Sequence, residues 1–199
     1  MGKRSVAAPS AGIAGLALMT ALTVTSTASP AGAATCPAST TCPTTVTFTV
    51  NAPDGLTITV PDGPVNIGSG APGGQISGTL GPVTVSDQRA ALAATWVATV
   101  SAAAGGFTTG GGTPAETVPD TAVLYWSGTG TYTGGVPADF SPGQATAGDA
   151  ESLNVSRTAF RKVSGSGVNS ATWNPTIVVN VPAQAVAGTY TGTVNHSVA

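Results

Sequence analysis

The feature that most restricts this chain is a strict alternation of apolar and polar residues. Val46, Phe48 and Val50 interleave with Thr45, Thr47 and Thr49, and Leu56, Ile58 and Val60 interleave with Thr57 and Thr59. Successive side chains of a strand point to opposite faces, so this spacing makes one apolar face and one covered by threonine. A helix would scatter the same residues around its axis. Asn51 to Gly55 and Pro61 to Pro64 separate the runs with turn chemistry, and each holds an Asp-Gly pair (Asp54-Gly55, Asp62-Gly63) that readily takes positive φ. Further strands are expected near Gln75–Leu80, Pro82–Ser86, Ala94–Ser101, Ala122–Trp126, Val155–Val163, Thr172–Val181 and Thr189–Val198. Helical spacing is sustained nowhere long enough for an amphipathic helix, and Gln88–Ala94 is the one candidate for even a short helical turn. This succession of short strands predicts an all-β domain over residues 45–199, an antiparallel β-sandwich of the immunoglobulin-like kind.

Charge then narrows the function. Only six basic and eight acidic residues occur among 199, which is 7% against about 25% in an ordinary soluble domain. No basic face for nucleic acid can be built from them. Val, Thr, Ala and Gly dominate instead, with turn residues throughout, as in threonine-covered β-structure.

The first 33 residues read as a secretory signal peptide. Lys3 and Arg4 form the charged start, Ala11 to Val24 is apolar and uncharged, and Ala31-Gly32-Ala33 supplies small residues for cleavage. The apolar run is shorter than the roughly 20 residues a spanning helix needs, and no other stretch of the sequence is long enough to span a bilayer after cleavage. Loss of Lys3 and Arg4 would leave four basic against eight acidic side chains, a formal charge of −4. Cys36 and Cys42, the two cysteines, sit just inside the expected mature end, in a segment spanning residues 34–44. In an exported chain they are expected to form a disulfide. Five residues lie between them, so the bridge closes a small ring and acts locally. Two thiolates make no structural zinc site without further ligands, and Thr35 stands where a lipoprotein signal needs a small residue.

Two long stretches, Ala102–Asp120 and Thr133–Gly148, read as loops and as candidate binding surface. The glycines at 105–106 and 110–112 precede no Gly-Lys-Ser/Thr, which excludes a phosphate-binding loop. Short echoes (Ala94-Thr95-Trp96 with Ala171-Thr172-Trp173, and Thr131-Tyr132-Thr133-Gly134 with Thr189-Tyr190-Thr191-Gly192) are too short to establish a duplication, and similar strand grammar repeated on one sandwich explains them as well. His196 is the sole histidine and shares an alternating face with Tyr190, Gly192, Val194 and Val198, so it is expected to pack in the core rather than act as a base. The acids Glu116, Asp120, Asp139, Asp149 and Glu151 fall in or near the loops. They leave a carboxylate-pair glycosidase as a distant reading, and they show no calcium-loop spacing. Neither a metal nor a cofactor is implied. Asp87 and Arg89, two apart in a charge-poor chain and just before the Trp96 strand, invite an ion pair. Trp96 alternates with Ala94, Ala98 and Val100 and is expected to be buried. Tyr125 and Trp126 must face opposite sides of one strand, and which is core stays open.

The run Val83-Thr84-Val85-Ser86-Asp87-Gln88-Arg89, followed by Trp96-Val97-Ala98-Thr99-Val100, resembles the first half of the WxL domain of Gram-positive surface proteins. There an Asp-x-Arg segment leads into a Trp-x-Leu strand. Ala187 to Val198, with Gly188-Thr189-Tyr190-Thr191-Gly192, resembles its closing strand. Ala98 stands where the first signature has Leu, and His196-Ser197-Val198 where the second has Trp-x-Leu. Val181 to Gly192 is also similar to secreted fimbrial and spore-coat subunits, and the Ala/Gly/Thr-rich style to exported proteins of high-GC Gram-positive bacteria. The resemblance implies a WxL-like fold and noncovalent attachment to peptidoglycan, in which Asp87, Arg89, Trp96, Tyr190 and His196 carry the structural motif. The expected function is therefore a secreted, cell-wall-associated surface protein without enzymatic activity, whose partners are wall glycan or other surface proteins. Trp126 and Tyr132, beside the loops, are the candidate sugar-stacking aromatics. The alternatives are an extracellular structural subunit or adhesin that assembles through strand edges, and a carbohydrate-active enzyme.

Overall fold

Trp96, Trp173, Tyr125 and Phe160, each no more than 2% exposed, form the centre of the protein. The computed structural model describes residues 35–53 and 55–199; the expected signal peptide, residues 1–33, lies outside them. The chain divides into two units, one ending at Phe48 and one running from Thr49 to Ala199.

In the first unit, Cys36 and Cys42 are bridged, with Cα atoms 5.8 Å apart. Both the N–H and the hydroxyl of Thr40 donate to the Pro37 carbonyl, closing a turn inside the ring.

The second unit is an antiparallel β-sandwich with fourteen strands among the described residues. One four-stranded sheet has the order β1 (Leu56–Thr59), β3 (Val83–Asp87), β12 (Asn169–Trp173), β8 (Thr131–Thr133). A second has β10 (Glu151–Ser152), β7 (Val123–Trp126), β13 (Thr176–Asn180), β2 (Gln75–Thr79). These two are halves of one bent layer. The β2/β13 pair continues into the β3/β12 pair, and β7 continues into β8, across three short connections at residues 80–82, 174–175 and 127–130. Pro82 and Pro175 lie at the bend, where no ladder donor is needed, and Gly81 takes φ +96° there. Leu80 N–H donates to Pro175 C=O at 2.9 Å and ties the two sides of the bend together. At Gly130 a Cβ would lie 2.8 Å from the Phe160 ring, so only glycine lets the chain turn so close to the core.

The opposing sheet has the order β14 (Val194–Val198), β4 (Trp96–Ala102), β11 (Arg157–Lys162), β9 (Phe140–Pro142). Its Trp96, Ala98, Val100 and Phe160 interleave with Val83, Val85, Ala171 and Trp173 of the bent layer. Phe160 stacks on Trp173 with centroids 5.1 Å apart, and Trp173 Nε1 donates to Tyr125 Oη at 2.9 Å. Tyr125 is therefore the core member of the Tyr125–Trp126 pair, and Trp126 faces outward.

Several sequence expectations change. Thr45–Val50 enters no ladder, and Val46, Phe48 and Val50 are 79%, 86% and 77% exposed; alternation supplies a strand's face, but without a neighbour to pair with there is no strand. The run Thr172–Val181 is two strands broken at Asn174-Pro175. Of Thr189–Val198 only Val194–Val198 is a strand along β4; upstream, Thr191 exchanges both backbone hydrogen bonds with Thr108 (3.0 and 2.9 Å) as an isolated bridge, and the Tyr190 hydroxyl donates to the Ala115 and Val186 carbonyls (3.0 and 2.9 Å). The expected loop 102–120 contains the hairpin β5 (Phe107–Thr108) and β6 (Thr117–Val118). Gln88–Ala94 contains no helix.

Two outcomes follow. Trp96→Ala should lower unfolding free energy by about 3–5 kcal/mol in denaturant titration, as for other fully buried aromatics. Intact-mass analysis of the exported chain should show two hydrogens fewer than its reduced form, and replacing both cysteines should cost little stability, because the ring is short.

Candidate functional site

Asp87 ends β3 with its carboxylate fully buried, and β4 begins only at Trp96. Arg89 crosses this gap. Its Nε and Nη2 donate to Oδ1 and Oδ2 of Asp87, both at 2.8 Å, while its own backbone N–H reaches Oδ1 at 3.0 Å. Nη2 also donates to the Thr95 carbonyl at 2.9 Å. On the other side, Asn169 Nδ2 donates to Asp87 Oδ2 at 3.3 Å, and Asn169 Oδ1 accepts the Trp96 indole N–H at 2.9 Å. The Arg89 guanidinium holds the Asp87 carboxyl below the usual carboxylate range. Asp87, Arg89 and Trp96 are thus one polar chain through the sandwich. Asn169 is the member that sequence reading missed, although it shares the inward alternation of Ala171 and Trp173.

With Asp87, Trp96 and Asn169 buried, this cluster holds the scaffold; more accessible candidates lie elsewhere. Trp126 is half-buried on the outer face of the β10-β7-β13-β2 sheet, its six-membered ring lying over Gly128. Across the strands it is level with Thr176 and Thr79. The next row on that face is Ser152, Leu124, Val178 and Ser77, and beyond it the Gln75 amide donates to Asn180 at 2.9 Å. This face is aromatic at one corner and built of neutral hydroxyl, amide and aliphatic groups. Tyr132 does not share it. Its ring is stacked on Phe140, with centroids 4.6 Å apart, and packs against the core.

The loop acids have local work. Glu116 accepts the Thr113 hydroxyl (2.7 Å) and backbone N–H (3.3 Å), and Asp149 accepts the same pair of groups from Thr146 at 2.7 and 3.0 Å. Asp139 accepts the Val136 N–H at 2.9 Å and the Ser164 hydroxyl at 2.5 Å. Each closes a single 3-10 turn, a capping arrangement. Glu151 accepts from the Gln144 amide at 3.0 Å and pairs with Arg157 at 3.7 Å. Lys162 is buried, donates to the Ser164 carbonyl and lies 5.6 Å from the Phe140 ring centroid.

A groove of about 1040 Å³ opens beside β14. Its walls include Val60, Ile76, Ile177, Val179, Tyr190, Val194 and His196. No acidic, lysine or arginine side chain lines it. His196 packs on the Tyr125 ring at 5.8 Å, its Nε2 has no hydrogen-bond partner, and burial pushes its pKa down to about 4. The folded protein therefore resists protonating a group that the unfolded chain protonates near pH 6.5.

The unfolded state binds the extra proton, so stability present at neutral pH is lost as pH falls from about 6.5 to about 4. The loss should approach roughly 3 kcal/mol, read as a falling denaturation midpoint, and His196→Leu should flatten that interval. Compared with known proteins, the chain matches no family model, no curated protein and no solved structure.

Proposed function

We propose that the protein is a secreted surface protein without enzymatic activity that associates noncovalently with cell-wall glycan, in the manner of WxL domains. The observation that supports this is the outer face around Trp126: a partly exposed indole packed beside the buried Thr176, with Thr79, Ser77 and Ser152 as the neighbouring hydroxyls and no charged group in those rows. A pyranose ring presents an apolar C–H face and a rim of hydroxyls, which suits an aromatic plane with neutral donors and acceptors beside it. The Asp87–Arg89–Trp96 chain supports the likeness to the Asp-x-Arg and Trp elements of that family, since it gives both a common structural purpose.

A second reading, an extracellular structural subunit that assembles through strand edges, is favoured by a different observation. β1 and β14 lie next to each other at open sheet edges without exchanging a ladder, beside an apolar groove.

Wall binding through neutral contacts should depend little on ionic strength, because few ion pairs exist to be screened. Retention of the mature protein on purified peptidoglycan is expected to survive a change from low to high salt and to fall with Trp126→Ala. Elution by moderate salt, with no effect of that substitution, contradicts the proposed contact; absence of retention removes the wall reading.

A further inference from the structure

The exposed segment Thr45–Val50 and the groove beside β14 have matching chemistry. Val46, Phe48 and Val50 are the three large apolar side chains of an uncharged, strand-patterned stretch, and each is more than three-quarters exposed in the single chain. Six residues in strand conformation extend about 20 Å. Its other face is Thr45, Thr47 and Thr49, the surface that β1 also presents with Thr57 and Thr59.

The groove supplies what such a segment lacks. In the β14–β4 ladder, Thr193, Asn195, Ser197 and Ala199 direct their backbone groups at β4, as the bonds Ala103 N–H to Thr193 C=O and the Val97–Ala199 exchange fix the register. Antiparallel pairing alternates, so the N–H and C=O of Val194 and His196 point away from β4. Among the described residues no backbone group accepts or donates to them. Their side chains line the groove, next to Ile177 and Val179. β1 lies next to β14 without exchanging a ladder, so the edge keeps its free backbone groups at Val194 and His196 beside the apolar trough, and such an edge is a template for an added strand. Val60, Val65 and Val186, 44%, 41% and 44% exposed, belong to the same lining and remain uncovered in the single chain. The trough bears no charge that would demand a charged partner, and neither does the segment.

We propose that Thr45–Val50 of a second copy of this chain adds to the open edge of β14 and lays Val46, Phe48 and Val50 into the groove. Each copy then offers one donor segment and one acceptor groove. The contact is head-to-tail, and unless the rotation closes a ring it propagates into an open filament. This rests on the strand-edge reading of function and is independent of wall binding.

The test is sedimentation of the mature protein over a range of concentrations, with two variants and one peptide. Wild type should form a concentration-dependent series of oligomers. Phe48→Asp should weaken self-association roughly 30-fold, as expected for loss of a central buried anchor, without lowering the melting temperature. A synthetic peptide with the sequence of residues 44–51 should dissolve the wild-type oligomers and bind the Phe48→Asp protein. Val186→Asp, at a groove-lining side chain that is 44% exposed and leaves the donor segment intact, should be monomeric alone and should form dimers, and nothing longer, when mixed with Phe48→Asp. Oligomers indifferent to Phe48→Asp and to the peptide would overturn the segment assignment and leave assembly through another edge. A monomer at every concentration, including one that folds the segment onto its own edge or reserves it for a foreign protein, would overturn both the assignment and the subunit reading.

Discussion

One buried carboxylate organises this sandwich. Asp87 has no exposed surface, and an ion of that kind is tolerable in an interior only when paired and hydrogen-bonded. Here it receives the Arg89 fork, the Arg89 backbone N–H and the Asn169 amide. Arg89 carries the link to the Thr95 carbonyl at the start of β4, and Asn169 carries it to the indole of Trp96. The connection from β3 to β4, the start of β12 and one of the two core tryptophans are therefore fixed by one set of bonds. Removing Arg89 or Asn169 does more than delete a contact, because it strands a buried charge or a buried indole N–H.

With that corner fixed, the remainder of the fold follows from bending. The layer opposite β4 has to wrap around a core made thick by Trp96, Phe160 and Trp173. It does so by breaking three strands at one line, where Gly81-Pro82, Asn174-Pro175 and Ser127–Gly130 release the ladder. Trp126 stands on the outward side of β7, and β14 is left as an edge strand beside the groove. Both proposed surfaces are thus by-products of closing a sandwich with few charges.

Much of this was readable in the residues. Charge scarcity made Asp87 and Arg89 conspicuous, and period-two spacing placed Trp96 in the core with Ala94, Ala98 and Val100. Alternation failed where phase is preserved across a bend: Ala171, Trp173, Ile177 and Val179 all point inward at odd positions, so two strands read as one. It also failed at Thr45–Val50, since a pattern cannot report whether a pairing partner exists. Asn169 was hidden because a polar residue at the start of a strand reads as a turn. The acids of the long loops looked available for chemistry, yet Thr113-x-x-Glu116 and Thr146-x-x-Asp149 carry the spacing of capping boxes, and in the structure they close their own turns. Tyr132 was paired with Trp126 by its nearness to the loops, whereas strand parity sends it inward to Phe140.

The central claim is that Arg89 and Asn169 act as one unit through the Asp87 carboxylate, and a double-mutant cycle measures that coupling directly. Unfolding free energies of Arg89→Met, Asn169→Leu and the double variant would be compared with wild type by denaturant titration. A shared carboxylate predicts a double variant less destabilised than the sum of the singles, with a coupling energy of about 1–3 kcal/mol. Strict additivity, at the level expected of distant and independent sites, would contradict it.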